Sequence, residues 1–122
     1  MRIIEAYRIT ELVEQLCIEA CCVISDDIES SFKSYLQVER SPVGKQVLST
    51  MLENATVART ERAPLCQDTG MTVVFVTMGQ DVRIKGEFIE NAINKGVRQG
   101  YVKGYLRKSV VKDPFEIGRG HV

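Results

Sequence analysis

The chain has 122 residues, of which 44% are hydrophobic and 26% charged, and its formal net charge is zero. This length and balance are typical of one ordinary globular domain and exclude a disordered or fibrous chain. No apolar run approaches the roughly 18 residues that a membrane span needs, and no apolar signal region follows Met1. We therefore predict that the protein neither enters a membrane nor is exported. Its four cysteines show no sign of a secreted disulfide scaffold, which predicts free thiols in a reducing cytoplasm.

The charges are unevenly distributed along the chain. Residues 1–61 carry six basic and ten acidic side chains, whereas residues 62–122 carry ten basic and six acidic ones. This asymmetry favours an anionic ligand near the second half. It is too weak to predict nucleic acid binding, which usually requires a clustered basic surface.

The first half is predicted to be helical. Apolar residues recur at helical spacing between positions 9 and 20 and form one stripe. A second helix is predicted to begin after the cap residue Ser25. A third is predicted to begin at Ser41 and Pro42, because a cap residue followed by proline is typical of a helix start.

The second half mixes strand and helix signals. Residues 71–78 are apolar and rich in β-branched side chains, which predicts a mostly buried strand, with residues 82–84 as its hairpin partner. A fourth helix is predicted from about Glu87. It contains glycines four apart, which predict tight packing against a neighbouring backbone: Gly96, Gly100 and Gly104. The predicted fold class is α+β, with N-terminal helices packed on a small β-sheet and a glycine-rich helix in the second half.

The residues best suited to chemistry lie in the segment from Pro64 to Gly70. A thiol, an amide, a carboxylate and a hydroxyl lie there between a proline and a glycine. Loops held by rigid elements are where functional groups concentrate. The plain alternative is a polar turn with a buried cysteine, because free cysteine is commonly a small buried hydrophobe. Loop statistics alone leave these two interpretations evenly balanced.

Three functional roles for Cys66 compete. A nucleophilic cysteine needs a base, and the only histidine, His121, lies next to the C-terminus, which argues against a pair. A structural zinc site needs four ligands, whereas Cys17, Cys21 and Cys22 follow a helical apolar stripe and are predicted to be free thiols of the core. One thiolate of an iron–sulfur cluster, with its other ligands outside this chain, stays compatible with an isolated cysteine.

Two strings in this order resemble the α region of the iron–sulfur hydro-lyases, the class I fumarases and L-tartrate dehydratases. The first is Pro64-Leu65-Cys66-Gln67-Asp68-Thr69-Gly70, and the second is Leu106-Arg107-Lys108-Ser109-Val110-Val111 with Asp113-Pro114. The resemblance spans nearly the whole chain up to about Phe115. It implies reversible addition of water to a dicarboxylate, assisted by a [4Fe-4S] cluster with one open iron.

The resemblance also implies roles for individual residues. Cys66 is expected to be the first cluster ligand, and Gln67 and Asp68 are expected to contact the substrate, with Asp68 also catalytic. Arg107 is expected to bind a substrate carboxylate, which a guanidinium grips through two parallel hydrogen bonds. The strings do not choose between fumarate, tartrate and another dicarboxylate.

Residues 1–115 are therefore expected to be the N-terminal part of such an α region, and residues 116–122 a tail outside its pattern. No cysteine follows Cys66, so the remaining cluster ligands are expected from outside the chain. The expected partner is a β subunit or a C-terminal β-region in an oligomer, and the chain alone is expected to be inactive. The competing hypothesis is a non-catalytic helical module that binds a partner subunit through its glycine-rich helix.

Overall fold

The computed structural model describes residues 1–110 and Phe115. In chain order its elements are β1 (Arg2–Glu5), α1 (Ala6–Cys22), α2 (Asp26–Val38), α3 (Pro42–Glu61), β2 (Val82–Lys85) and α4 (Ile89–Lys103). The predicted α+β class is confirmed. His121, Asp113, Pro114 and the predicted tail at 116–122 lie outside the described residues.

The predicted starts of α2 and α3 are confirmed. Ser25 and Ser41 occupy the two N-cap positions. The Ser41 hydroxyl accepts a hydrogen bond from the Gly44 N–H (3.3 Å) and so satisfies one of the free amides of the first turn. None of these helices, within the described ranges, is long and apolar enough to cross a membrane.

The glycine face of α4 packs directly on α1. A methyl group added to Gly96 would lie 2.6 Å from the backbone oxygen of Thr10, and one added to Gly100 would lie 2.9 Å from the backbone oxygen of Glu14. Interiors are close-packed, so a larger residue fits at neither position unless the backbone moves. The predicted tight packing is confirmed, and the neighbour is α1 of the same chain.

Polar contacts and a small core accompany this helix pair. The Thr10 hydroxyl donates to the backbone oxygen of Ala92 (2.9 Å), and the Lys103 ammonium pairs with the Glu14 carboxylate (2.8 Å). The buried apolar cluster beside them draws on α1, α4 and the residues after α4: Val13, Cys17, Tyr101 and Leu106. The core therefore lies along the α1–α4 contact.

The small sheet differs from the predicted hairpin. β2 pairs in parallel with β1, so that Arg2 lies opposite Val82 and Glu5 opposite Lys85. Residues 71–78 form no strand in this structure, and Phe75 is 93% exposed. The predicted buried strand at 71–78 and its hairpin pairing are therefore wrong, whereas the short strand predicted at 82–84 is present as β2.

The strand prediction for residues 71–78 failed because an apolar run carries limited information. Such a run indicates surroundings that favour apolar side chains, but it does not identify a pairing partner. Here the segment lies along α1, where Val74 and Val13 line the same groove. The partner that β2 takes, β1, is only four residues long, too short for its own pattern to predict it.

Helices α2 and α3 form a peripheral pair joined by charged groups. None of the α2 residues is buried. The Glu29 carboxylate on α2 pairs with Lys33 on the same helix and with Arg59 on α3. Hydrogen bonds from these two cations lower the pKa of Glu29 from 4.5 to about 2. The core therefore depends on α2 less than on α1 and α4.

We expect Gly96→Ala to lower the free energy of unfolding by about 1–3 kcal/mol, measured by urea denaturation. Overpacking against α1 outweighs the ~1 kcal/mol that alanine gains in helix propensity. Gly79→Ala is the matched control, because a methyl group there would meet its nearest atom, on Val82, at an ordinary 3.8 Å. A Gly96→Ala protein as stable as the wild type would contradict the close contact.

Candidate functional site

The segment from Pro64 to Gly70 is held at its entry by two helices. α3 ends at Glu61, and Arg62 takes the left-handed conformation (φ 52°). The Leu65 N–H then donates to the backbone oxygen of Cys21, at the end of α1 (2.9 Å). The Leu65 oxygen accepts from the side-chain amide of Asn54 on α3 (2.8 Å). The loop therefore starts from a fixed point between α1 and α3.

A buried tyrosine holds the exit of the loop. The Tyr101 hydroxyl on α4 donates to the backbone oxygen of Gly70 (3.4 Å) and accepts from the Thr72 hydroxyl (3.1 Å). The Cys17 sulfur on α1 lies 4.0 Å from the same Thr72 oxygen. Gly70 has φ +67°, a conformation that glycine adopts without strain. The exit therefore depends on the packing of α1 against α4.

The apex of the loop presents its polar groups to solvent. Cys66, Gln67 and Asp68 are all exposed. The Cys66 thiol donates to the backbone oxygen of Asp68 (3.1 Å). One carboxylate oxygen of Asp68, Oδ1, accepts from the Gly70 N–H (3.1 Å) and from the Ser109 hydroxyl (3.4 Å). The three predicted site residues on this segment are thus accessible to a ligand.

The four cysteines fall into two groups. Cys17 and Cys22 are buried and Cys21 is half-buried, and all are free. Burial raises the pKa of these three thiols and so favours their protonated form. The prediction that Cys17 and Cys22 belong to the core is confirmed. Cys66 is exposed, which removes the buried-thiol alternative for it.

The segment after α4 lies against the loop. The backbone oxygen of Arg107 accepts from the Thr69 hydroxyl (3.1 Å) and from the Ser109 N–H (3.0 Å). Thr69 and Arg107 are 38 positions apart in sequence. The Arg107 side chain is exposed and makes no hydrogen bond or ion pair with the described residues. The structure therefore brings the two segments that carry the predicted site residues into contact.

An open cavity of about 360 Å³ adjoins these segments. Its volume falls in the range of small-molecule sites. Polar side chains from three parts of the chain contribute to its lining: Thr72, Asn94, Lys108 and Ser109. Lys108 and the neighbouring Arg107 supply positive charge, in agreement with the anionic ligand that the charge distribution favours.

Sequence reasoning assigned no individual role to three residues that build this site. Thr69 and Ser109 lie inside the two strings that resemble the hydro-lyases. Each carries a hydroxyl close in sequence to a candidate site residue, and that proximity could have pointed to them. Tyr101 carried no such signal, because its contact with Gly70 depends on how α4 lies on α1.

The described residues do not form a metal site by themselves. Among them, no group of three or more His, Cys, Asp or Glu side chains lies close enough to hold a metal ion. Cys66 fits one position of an iron–sulfur cluster, because its thiol is exposed and, within the described part of the chain, bonds only to a nearby backbone oxygen. The other ligands of such a cluster have to come from outside the described residues.

The sequence profile of the fumarate hydratase (Fumerase) family matches residues 10–119. Because this match covers most of the chain, the protein belongs to that family, a family of hydro-lyases. Both predicted strings, α3, α4 and the loop fall within the matched range, which also covers α1 from Thr10 onward.

Curated relatives carry tartrate dehydratase names. A Methanocaldococcus jannaschii protein assigned as L(+)-tartrate dehydratase subunit alpha is 30% identical over 106 residues, which are 85% of this chain. The L(+)-tartrate dehydratase subunit alpha of Escherichia coli K12 is 29% identical over 113 residues, or 93% of this chain. The matched regions are 37% of each relative, so the chain spans little more than a third of their length.

We expect Tyr101→Phe to loosen the exit of the loop without unfolding the chain. Losing two hydrogen bonds of this kind costs about 1–2 kcal/mol, so amide hydrogen exchange should accelerate at residues 66–72. Tyr35→Phe is the control, because Tyr35 lies on α2 and is 65% exposed. Unchanged exchange at residues 66–72 in Tyr101→Phe would show that the tyrosine does not hold the loop.

Proposed function

We propose that this chain is the N-terminal part of the α subunit of a [4Fe-4S] hydro-lyase. The reaction is reversible hydration of a dicarboxylate, of the fumarate/malate or tartrate/oxaloacetate type. The observation that carries the proposal is the contact between the exposed Cys66–Asp68 apex and the Arg107 segment, made through Thr69 and Ser109. Family membership and the names of the relatives support the reaction type.

Cys66 would supply one thiolate to the cluster. To do so it loses its proton and its hydrogen bond to the Asp68 backbone. The bound cluster would supply a Lewis acid that lowers the cost of expelling hydroxide from carbon. Because Gln67 and Asp68 directly follow Cys66, their side chains would lie close to a cluster bound by the Cys66 thiolate.

Arg107 and Asp68 would act on the substrate itself. The exposed guanidinium of Arg107 suits a carboxylate, since it offers two parallel N–H donors. The Asp68 carboxylate would orient the substrate hydroxyl or exchange a proton with it. Gln67 would donate or accept a hydrogen bond at the same end. All three side chains are exposed. None of them lines the cavity itself, but Ser109, which donates to Asp68, and Lys108, which follows Arg107, both do.

The chain would work within a larger assembly, with a β subunit or β-region as its partner. Its segment 71–78 exposes more large apolar side chains than the surface of a monomeric protein usually does: Met71, Val73, Phe75, Val76 and Met78. In this proposal residues 1–115 belong to the α region and residues 116–122 form a tail, although the family match itself extends to residue 119.

The competing hypothesis of a non-catalytic interaction module loses its main surface. It relied on the glycines of α4 as a ridge for a partner subunit. In this structure Gly96, Gly100 and Gly104 instead pack against α1 or neighbouring residues of the same chain. That face is therefore not free to receive a partner.

We expect Cys66→Ser in the assembled enzyme to abolish hydro-lyase turnover while the fold is kept. Serine is isosteric at an exposed site but is a poor ligand for iron. Turnover and the visible absorption of the cluster are measured together with far-ultraviolet circular dichroism. Cys22→Ser is not a suitable control because Cys22 is buried; the exposed Ser34→Ala is. Retained activity in Cys66→Ser would favour a purely structural role for the loop.

We also expect the 122-residue chain alone to hold no stable [4Fe-4S] cluster, since its described residues offer one suitable thiolate. Anaerobic reconstitution with iron and sulfide, followed by absorption spectroscopy and a hydratase assay, measures this. A stable four-iron spectrum with turnover from this chain alone would overturn the expectation of a partial site.

A further inference from the structure

The Asp68 carboxylate is held from two directions. The bond from the Gly70 N–H is local, two residues along the chain, and is typical of an Asx turn. The bond from the Ser109 hydroxyl comes from a segment 41 positions away. The local bond therefore belongs to the loop itself, whereas the distant one ties the loop to the segment after α4.

Both donors converge on the same oxygen, Oδ1 of Asp68. The terminal torsion of aspartate is broad and roughly two-fold, so a single donor fixes it poorly. Two donors from different directions fix the plane of the carboxylate. The other oxygen, Oδ2, makes no hydrogen bond with the described residues and is left for a ligand.

Ser109 also contacts the backbone of Arg107. Its N–H donates to the Arg107 oxygen (3.0 Å), which accepts from the Thr69 hydroxyl as well. One residue thus contacts Asp68 through its side chain and Arg107 through its main chain. The distance between the Asp68 carboxylate and the Arg107 backbone therefore depends on these two contacts of Ser109.

We propose that Ser109 is a positioning residue that sets the Asp68 carboxylate relative to Arg107 for reaction. The inference rests on the proposed function, because it gives Asp68 and Arg107 their roles on the substrate. Ser109 is exposed, so removing its hydroxyl creates no cavity in the core. A loss of rate in its variants therefore reports on the carboxylate and not on folding.

The test compares Ser109→Ala and Ser109→Thr in the complete enzyme that contains this chain, assembled with its β partner and cluster. We expect Ser109→Ala to lower kcat about tenfold, the effect of losing one hydrogen bond to a charged group, with KM within about twofold. Ser109→Thr keeps a hydroxyl at the same position and is expected to recover most of the rate. Ser34→Ala, whose hydroxyl bonds only within α2, is the matched control and should match the wild type.

A second comparison asks whether Ser109 acts through Asp68. In an Asp68→Asn enzyme, which lacks the carboxylate, adding Ser109→Ala should change the residual kcat by less than about twofold, because interacting residues are not additive. A full tenfold further loss in that background would overturn the inference.

The remaining outcomes separate the inference from the function on which it rests. An active wild-type enzyme whose kcat is unchanged in Ser109→Ala overturns the inference alone. So does a rise in KM with kcat unchanged, which would make Ser109 a substrate contact, or a Ser109→Thr enzyme as slow as Ser109→Ala. A correctly assembled wild-type enzyme without hydro-lyase turnover overturns the proposed function and the inference with it.

Discussion

The close contact between α1 and α4 is the constraint on which the rest of the structure depends. It exists because Gly96 and Gly100 have no side chain at points where the α1 backbone passes within contact distance. Each glycine sacrifices about 1 kcal/mol of helix propensity. That loss is offset by the burial of Val13, Cys17 and Tyr101 along the line of contact. The helices are therefore stabilised as a pair and not individually.

The candidate site inherits its geometry from this pair. The loop is fixed by the end of α1 at its entry, through Cys21, and by Tyr101 of α4 at its exit. The segment after α4 passes through the buried Leu106, which directly precedes Arg107. A shift of one helix along the other would move the two sides of the site relative to each other. The candidate site residues themselves are exposed, so their positions depend on the helices that hold the two segments.

Much of this arrangement follows from local sequence signals, and some of it does not. The cap residues Ser25 and Ser41 and the glycine spacing of α4 act through near neighbours or a fixed helical period, so they were predictable. The parallel partner of β2 was not, because pairing between Arg2 and Val82 is decided by how distant elements pack. The apolar segment 71–78 misled the prediction because hydrophobicity does not specify a hydrogen-bonding partner.

The same distinction applies to the site. The motif around Cys66 and the Arg107 string were recognisable as strings, but neither one shows that they touch. That contact needs the Thr69 and Ser109 hydroxyls, whose partners lie 38 and 41 positions away. Small polar residues in loops are common, and only the three-dimensional placement distinguishes these two from solvated ones.

The parallel pairing of β1 with β2 has a consequence for synthesis of the chain. The first strand is made about 80 residues before the strand with which it pairs. At roughly 5–20 residues per second, it waits about 4–16 s on the ribosome before Val82 is added. The apolar stripe of α1 waits longer, since α4 is made later still. During that interval the α2–α3 pair can form, whereas the face of α1 that packs on α4 stays uncovered and accessible to chaperones.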